Sequence, residues 1–217
     1  MACAIDRAAP RDYKANSRLF CIIMARTSSV RAPRQDNRRE AILDASAALF
    51  SRRGYHATSL RDIAAAAGML PGSVYYHFTS KDALLLAVYA AGVERIAARV
   101  DAAVEKASAP RPRLEAACVA HLETLLERSD YAQVVVRVLP RDAAAVSAEL
   151  ARLRNAYERR FSALIDALAL PENVDRKLLR LALLGALNGA QIWYRPNGHS
   201  PETIARRFLG LLVPAKE

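Results

Sequence analysis

Cysteine is scarce in this 217-residue chain, and the three present (Cys3, Cys21, Cys118) share no short metal-type spacing. They form no even framework of the kind that staples small secreted domains, which points to a reducing compartment. The four histidines, His56, His77, His121 and His199, each lie more than 20 residues from the next, so no helix carries a metal-binding pair. No apolar run reaches the roughly 18 residues that a membrane span requires, and Leu19–Met24 is too short for a secretory core. A GxSxG elbow, a phosphate loop and a paired Cys/His nucleophile are all missing. These absences argue against an enzyme, a cofactor and a membrane, and point to the cytoplasm.

What is present is an ordinary globular composition, 53% apolar and 25% charged, with a net charge of +10. The charge is uneven. Residues 1–81 hold 13 Lys/Arg against 6 Asp/Glu, and residues 82–217 hold 19 against 16. A basic N-terminal portion ahead of a near-neutral remainder suggests a polyanion partner for that portion.

Helical periodicity is sustained and strand periodicity is absent. Residues 1–35 show neither and read as a disordered tail. Within it Met24 opens MARTSSVRAPRQDNRRE, which reads as a protein start, with a genuine flexible arm as the equal alternative. From Asp36 the apolar residues Ile42, Ala45, Leu49 and Phe50 recur at helix spacing, and Gly54 suits the left-handed residue that ends a helix. Thr58 or Ser59 offers an N-cap, and Ser59 with Asp62 fits a capping box. A short helix Leu60–Ala67 ends at Gly68, and Pro71 suits the first position of a third helix. Two short helices joined by a glycine-containing turn form a helix-turn-helix unit. Ser80 can cap a long helix with the stripe Leu84, Val88, Ala91, Ile96, Val100 and Val104. Five further helices are predicted at Arg113–Arg128, Tyr131–Leu139, Ala143–Leu168, Val174–Tyr194 and Pro201–Val213. The result is nine helices in an all-α chain.

The stretch GSVYYHFTSKDALL (Gly72–Leu85) lies on the second helix of the helix-turn-helix and the start of the long one. Such a helix places its N-terminal residues in the DNA major groove. Gly72 and Ser73 are small enough for close backbone approach, and Tyr75 brings a hydroxyl and a ring able to touch a thymine methyl. Tyr76 and His77 can hydrogen-bond phosphate. Lys81, at the start of the long helix, adds charge there. Val74 and Phe78 read as core. Three adjacent helical side chains, Tyr75, Tyr76 and His77, spread over more than half the helix circumference and cannot all be buried.

The run REAILDASAALFSRRGYHATSLRDIAAAAGMLPGSVYYHFTSKDALL, over about residues 38–85, closely resembles the DNA-binding domain of the TetR (tetracycline repressor) family. The resemblance implies an all-helical homodimer, with a three-helix DNA-binding domain ahead of a six-helix regulatory and dimerisation domain. Here these would span residues 36–82 and 83–217. By motif position, Arg61, Ser73 and Tyr75 fall where the family reads bases, and Thr58, Ser59, Tyr76, His77 and Lys81 where it grips phosphate. Leu70 departs from the pattern, which usually has a Ser or Thr cap there.

The resemblance also implies that the last two helices pair with their copies. Leu181, Leu184, Ile192, Ile204, Phe208 and Leu211 would then bury at the dimer contact, and Gly185 and Gly189 would allow close approach. Two later segments, LRNAYERRFSALI and GALNGAQIWYRPNGHSPETIA, are similar to C-terminal domains of TetR members that control lipid, steroid or fatty-acid breakdown and sense coenzyme A thioesters; Gly189 departs where an aromatic often sits. Family-style pockets lie among the middle helices, which here supply His121, Leu122, Leu125, Val135, Tyr157, Phe161, Asn188 and Trp193, with Cys118 and Tyr131 nearby. Arg137, Arg154 and Arg195 are candidates to meet phosphates at the mouth. The expected function is a ligand-responsive regulator, most simply a repressor released from a palindromic operator by a small hydrophobic effector such as an acyl-CoA. The alternative is a DNA-architectural protein without sequence preference, favoured by the net charge alone.

Overall fold

The computed structural model describes residues 34–213. The expected tail and the question of Met24 fall almost wholly outside these residues. Among them there are nine α-helices, two short 3-10 turns and no strand. The helices are α1 (Arg34–Arg53), α2 (Leu60–Ala66), α3 (Pro71–His77), α4 (Lys81–Glu105), α5 (Pro110–Leu126), α6 (Asp130–Arg137), α7 (Ser147–Asp166), α8 (Arg176–Trp193) and α9 (Pro201–Leu212).

Local chemistry sets the ends of the first elements. After α1 the chain turns through Gly54 at φ +84°, and after α2 through Gly68 at φ +66°, backbone conformations that a side chain would strain. Ser59 and Asp62 form a reciprocal capping box at the start of α2. Ser80 caps α4 by accepting from the Ala83 amide at 3.0 Å. Leu70 precedes α3 with no side-chain cap.

Most boundaries fall within two residues of expectation, and two helix starts differ by more. Helix α5 starts at Pro110, not Arg113, because Pro110 and Pro112 occupy the first turn, where amide hydrogens have no intrahelical partner to lose. Helix α7 starts at Ser147, not Ala143. The Asp142 carboxylate accepts from the Leu139 amide at 2.7 Å, and buried Ala143 leaves helical geometry at φ −138°, ψ 80°. The chain therefore turns two corners, Pro140–Asp142 and Ala144–Val146, before the helix can run.

Helix α4 is the axis of the larger part, packing against α5, α6 and α7. Its apolar stripe Leu84, Leu85, Val88, Tyr89, Ile96 and Val100 is buried, each such side chain contributing roughly 1.5–3 kcal/mol. Gly92 marks its crossing with α6: a Cβ there would lie 2.7 Å from Val135 Cγ2 and 2.8 Å from the Tyr131 carbonyl oxygen. Helices α5, α7, α8 and α9 complete the packing, α9 against α5 and α8, and α7 against α8.

Candidate DNA-binding surface and effector cavity

Helix α3 keeps one side chain inside and shows the rest. Val74 is fully buried and Phe78, just after the helix, nearly so, which fixes the helix against its neighbours. Tyr75 and Tyr76 are 57% and 73% exposed. The Tyr76 ring meets His77 edge-on, with centroids 5.1 Å apart. Gly72 is exposed, Ser73 and His77 are half-buried, and Arg61 on α2 is exposed. A shallow cleft brings Ser59, Arg61 and Tyr75 together with His56, Thr58 and Lys81.

Two members of the expected phosphate grip have internal tasks. Thr58 is 1% exposed, and its hydroxyl donates to the Gly54 carbonyl at 2.9 Å. Its side chain ties the α1–α2 loop to itself. The Lys81 ammonium donates to the carbonyls of Tyr55 and Thr58, each at 3.0 Å, and sits 4.3 Å from the Tyr55 ring centroid. The Tyr55 hydroxyl in turn donates to Asp82 at 2.5 Å. Burial, reinforced by that carboxylate, holds the Tyr55 phenol far above its ordinary range, so it stays a donor. Lys81 is thus chiefly a strut between α4 and the loop that aims α2. One of its three N–H groups remains for an anion in the cleft.

The cavity lies among α4–α8. Of the residues expected there, His121, Leu125, Val135, Tyr157 and Asn188 line it. Leu122 and Phe161 are fully buried core behind it; the Phe161 ring packs edge-on against His121 at 5.7 Å. Trp193 is elsewhere: 48% exposed at the end of α8, it packs edge-on against Phe208 at 6.1 Å. Tyr89, Val93 and Ile96 from α4, Val136, Leu184, Arg154 and Glu158 complete the lining. Tyr89 was discoverable as the one aromatic in the aliphatic stripe of α4, and Glu158 as a carboxylate four residues after Arg154.

The polar part of the lining is a closed chain of hydrogen bonds. His121, 3% exposed, has Nδ1 at 2.6 Å from the Tyr157 hydroxyl and Nε2 at 3.1 Å from Asn188 Oδ1. An amide oxygen only accepts, so Nε2 carries the proton and Nδ1 takes the Tyr157 O–H. Burial pushes the imidazole down to about 4, against a weaker opposing pull from Asn188, which keeps it neutral. Burial likewise holds the Tyr157 phenol far above its usual range and raises the Cys118 thiol to about 12, so neither ionises. Nearby, Glu158 pairs with Arg180 at 2.8 Å and Arg154 at 3.4 Å. The cavity volume is about 40 Å³, room for no more than a few waters.

Helix α6 touches both the cavity and α1. Val135 and Val136 line the cavity. On the same helix Tyr131 donates to Asp44 of α1 at 2.8 Å, Asp130 accepts from the Ser51 hydroxyl at 2.5 Å, and Arg137 donates to the Ser51 carbonyl at 3.0 Å. Arg95 stacks over the Tyr131 ring at 3.7 Å. Gln133 donates to Gln191 of α8 at 2.8 Å, one turn from Asn188. Arg137 and Arg195 are therefore engaged, the latter with the carbonyls of Trp193 and Tyr194. Of the three arginines considered for phosphate, Arg154 alone lines the cavity.

Among the described residues no helix is long and apolar enough to cross a membrane. Residues 42–88 match the family model for bacterial regulatory proteins of the tetR family, and residues 107–215 match the tetracyclin repressor-like C-terminal domain. The HTH-type transcriptional repressor KstR2 of Rhodococcus jostii is 27% identical over 189 residues, covering 82% of this chain and 91% of that protein. KstR2 of Mycobacterium tuberculosis is 36% identical over 101 residues, 46% of this chain, so the match spans about half (50%) of that relative's length. The crystal structure of AibR in complex with isovaleryl coenzyme A and operator DNA has a TM-score of 0.70 and 25% identity to this chain, covering 82% of it and 98% of AibR. The chain belongs to the TetR family of bacterial transcriptional regulators.

Proposed function

We propose that the protein is a ligand-responsive repressor that binds a palindromic operator as a homodimer in the cytoplasm and leaves it when a coenzyme A thioester enters the cavity. The observation that carries the ligand response is the double duty of α6, which walls the cavity through Val135 and Val136 and is hydrogen-bonded to α1 through Tyr131, Asp130 and Arg137. A cavity of about 40 Å³ cannot take an acyl chain without displacing its walls. Because Gly92 lets α6 lie against α4, an entering chain that spreads them moves the helix that holds α1. Half-sites of such operators lie about one helical turn, ~34–36 Å, apart, so a shift of a few ångströms breaks simultaneous engagement. The coupling required is of order 1–3 kcal/mol.

The isovaleryl coenzyme A held by AibR supports this ligand class. The apolar walls suit an acyl chain, the Tyr157–His121–Asn188 chain suits its carbonyl, and Arg154 suits a phosphate. Supporting the dimer, Leu178, Leu181, Ile192 and Leu211 on α8 and α9 are exposed, with Ile192 at 85% and Leu211 at 79%. Gly185, Gly189 and Gly210 have open space where a Cβ would be. Leu184 and Ile204, expected at that contact, are 6% and 5% exposed within the chain and belong to its own core.

Titrating a panel of acyl-CoAs into a fluorescent operator complex tests the ligand. Release by one or more thioesters is expected; release by planar aromatic drugs alone would replace the thioester with another effector. Sedimentation of Ile192→Lys tests the contact, and monomer at concentrations where the wild type is dimeric is the expected result.

A further inference from the structure

Leu70 is the residue on the DNA-binding surface that nothing so far explains. Among the large apolar side chains it is 78% exposed, in the same helix-turn-helix as Tyr75 and Tyr76, while Met69 before it is half-buried and Val74 after it fully so. It supplies no cap to α3, whose Ser73 amide is satisfied by the Leu70 carbonyl at 2.9 Å. Its backbone is extended, φ −74° and ψ 146°, followed by Pro71, so the position is held rigidly and not by its side chain. A leucine here contributes neither packing nor capping to the free chain.

We infer that Leu70 reads a thymine in each operator half-site by covering its C5 methyl group. The inference rests on the reading of α3 as a helix that enters the major groove. Leu70 stands at the end of α3 that leads into the groove. The thymine methyl is the apolar group that the major groove displays and the other three unmodified bases lack. A leucine has no hydrogen-bonding group, so it discriminates by that methyl and by nothing else. The surroundings suit a nucleic-acid occupant better than an apolar protein face: residues 38–81 carry six Lys/Arg against three Asp/Glu, and Arg61 and Gly72 nearby are exposed.

The test uses the full chain and an operator selected by it from random duplex DNA. Each thymine of that operator is replaced in turn by deoxyuridine, which removes only the methyl, and affinities are measured for the wild type and for Leu70→Ala. One thymine per half-site is expected at which deoxyuridine weakens the wild type about fourfold, the worth of one buried methyl-sized group. In Leu70→Ala that sensitivity should fall below about 1.5-fold, with thermal stability and salt dependence unchanged. If every deoxyuridine effect is the same in Leu70→Ala as in the wild type, the assignment of Leu70 is overturned while the operator reading stands. If the chain enriches no sequence at all, the operator reading itself fails and the inference goes with it.

Discussion

The surface of α3 and the lining of the cavity use similar side chains in opposite ways. On α3 the rings of Tyr75 and Tyr76 stay more than half exposed. In the cavity Tyr157 and His121 are sunk into the core and bonded to each other, and His121 is bonded to Asn188 as well. The first arrangement leaves the exposed Tyr75 ring within reach of a partner. The second is tied into stability, because a buried polar group that loses its partner carries its full desolvation penalty. Changes on α3 should therefore act on DNA, and changes in the cavity on folding first.

The largest effect is expected for His121→Leu, which strands the Tyr157 hydroxyl and the Asn188 amide together. A loss of about 4 kcal/mol in unfolding free energy follows from orphaning one buried and one half-buried group, measurable by denaturant titration. Tyr157→Phe, which orphans only the His121 Nδ1 acceptor, should lose about 2 kcal/mol.

Acid should erode the same region by a somewhat smaller amount. The folded imidazole sits near 4 and the unfolded one at 6.5, so between these values the unfolded chain binds the proton and the folded one does not. The His121 contribution is therefore complete above pH 6.5, drains as pH falls, and levels off below about 4. It amounts to about 3 kcal/mol. The pH profile of His121→Leu should be flatter than the wild type by that amount. Parallel profiles would show that His121 is hydrated in the native state.

On the opposite surface, Tyr75→Ala should leave unfolding unchanged and weaken specific operator binding by about 2 kcal/mol. Wild-type affinity in that variant would mean that α3 meets DNA by another face. Lys81→Ala crosses between the two classes. It removes two hydrogen bonds that hold the Tyr55–Thr58 loop, so a stability loss of about 1 kcal/mol should accompany its loss of DNA affinity. A pure drop in salt slope by about one, with stability intact, would instead mark Lys81 as a simple phosphate contact.

The unequal legibility of the two regions has a physical cause. The capping box of Ser59 and Asp62, the glycines 54 and 68, and the Ser80 cap are local devices, encoded within four residues, and each was readable along the chain. So was the inward turn of Val74 and Phe78. The internal bonds of Lys81 were not readable, because its partners, the carbonyls of Tyr55 and Thr58, are more than 20 residues away and carry no side-chain signature. The cavity is nonlocal throughout: His121, Tyr157 and Asn188 come from three helices, and only packing brings them together. The place of Trp193 was hidden for the same reason, since one turn of α8 separates a residue that faces the core from one that meets Phe208 at the surface. The α6–α1 bonds had no sequence signal, because Asp44, Ser51, Asp130 and Tyr131 look like ordinary helix-surface residues until the two helices meet.

The central claim is sequence-specific binding of DNA by a dimer, and a nuclease footprint on the upstream region of the chain's own gene and its neighbours tests it most directly. The account predicts one discrete protected palindrome, with half-sites about one helical turn apart, lost in Tyr75→Ala. Protection spread evenly along the fragment, unchanged in that variant, would contradict it and favour a protein that coats DNA without reading it.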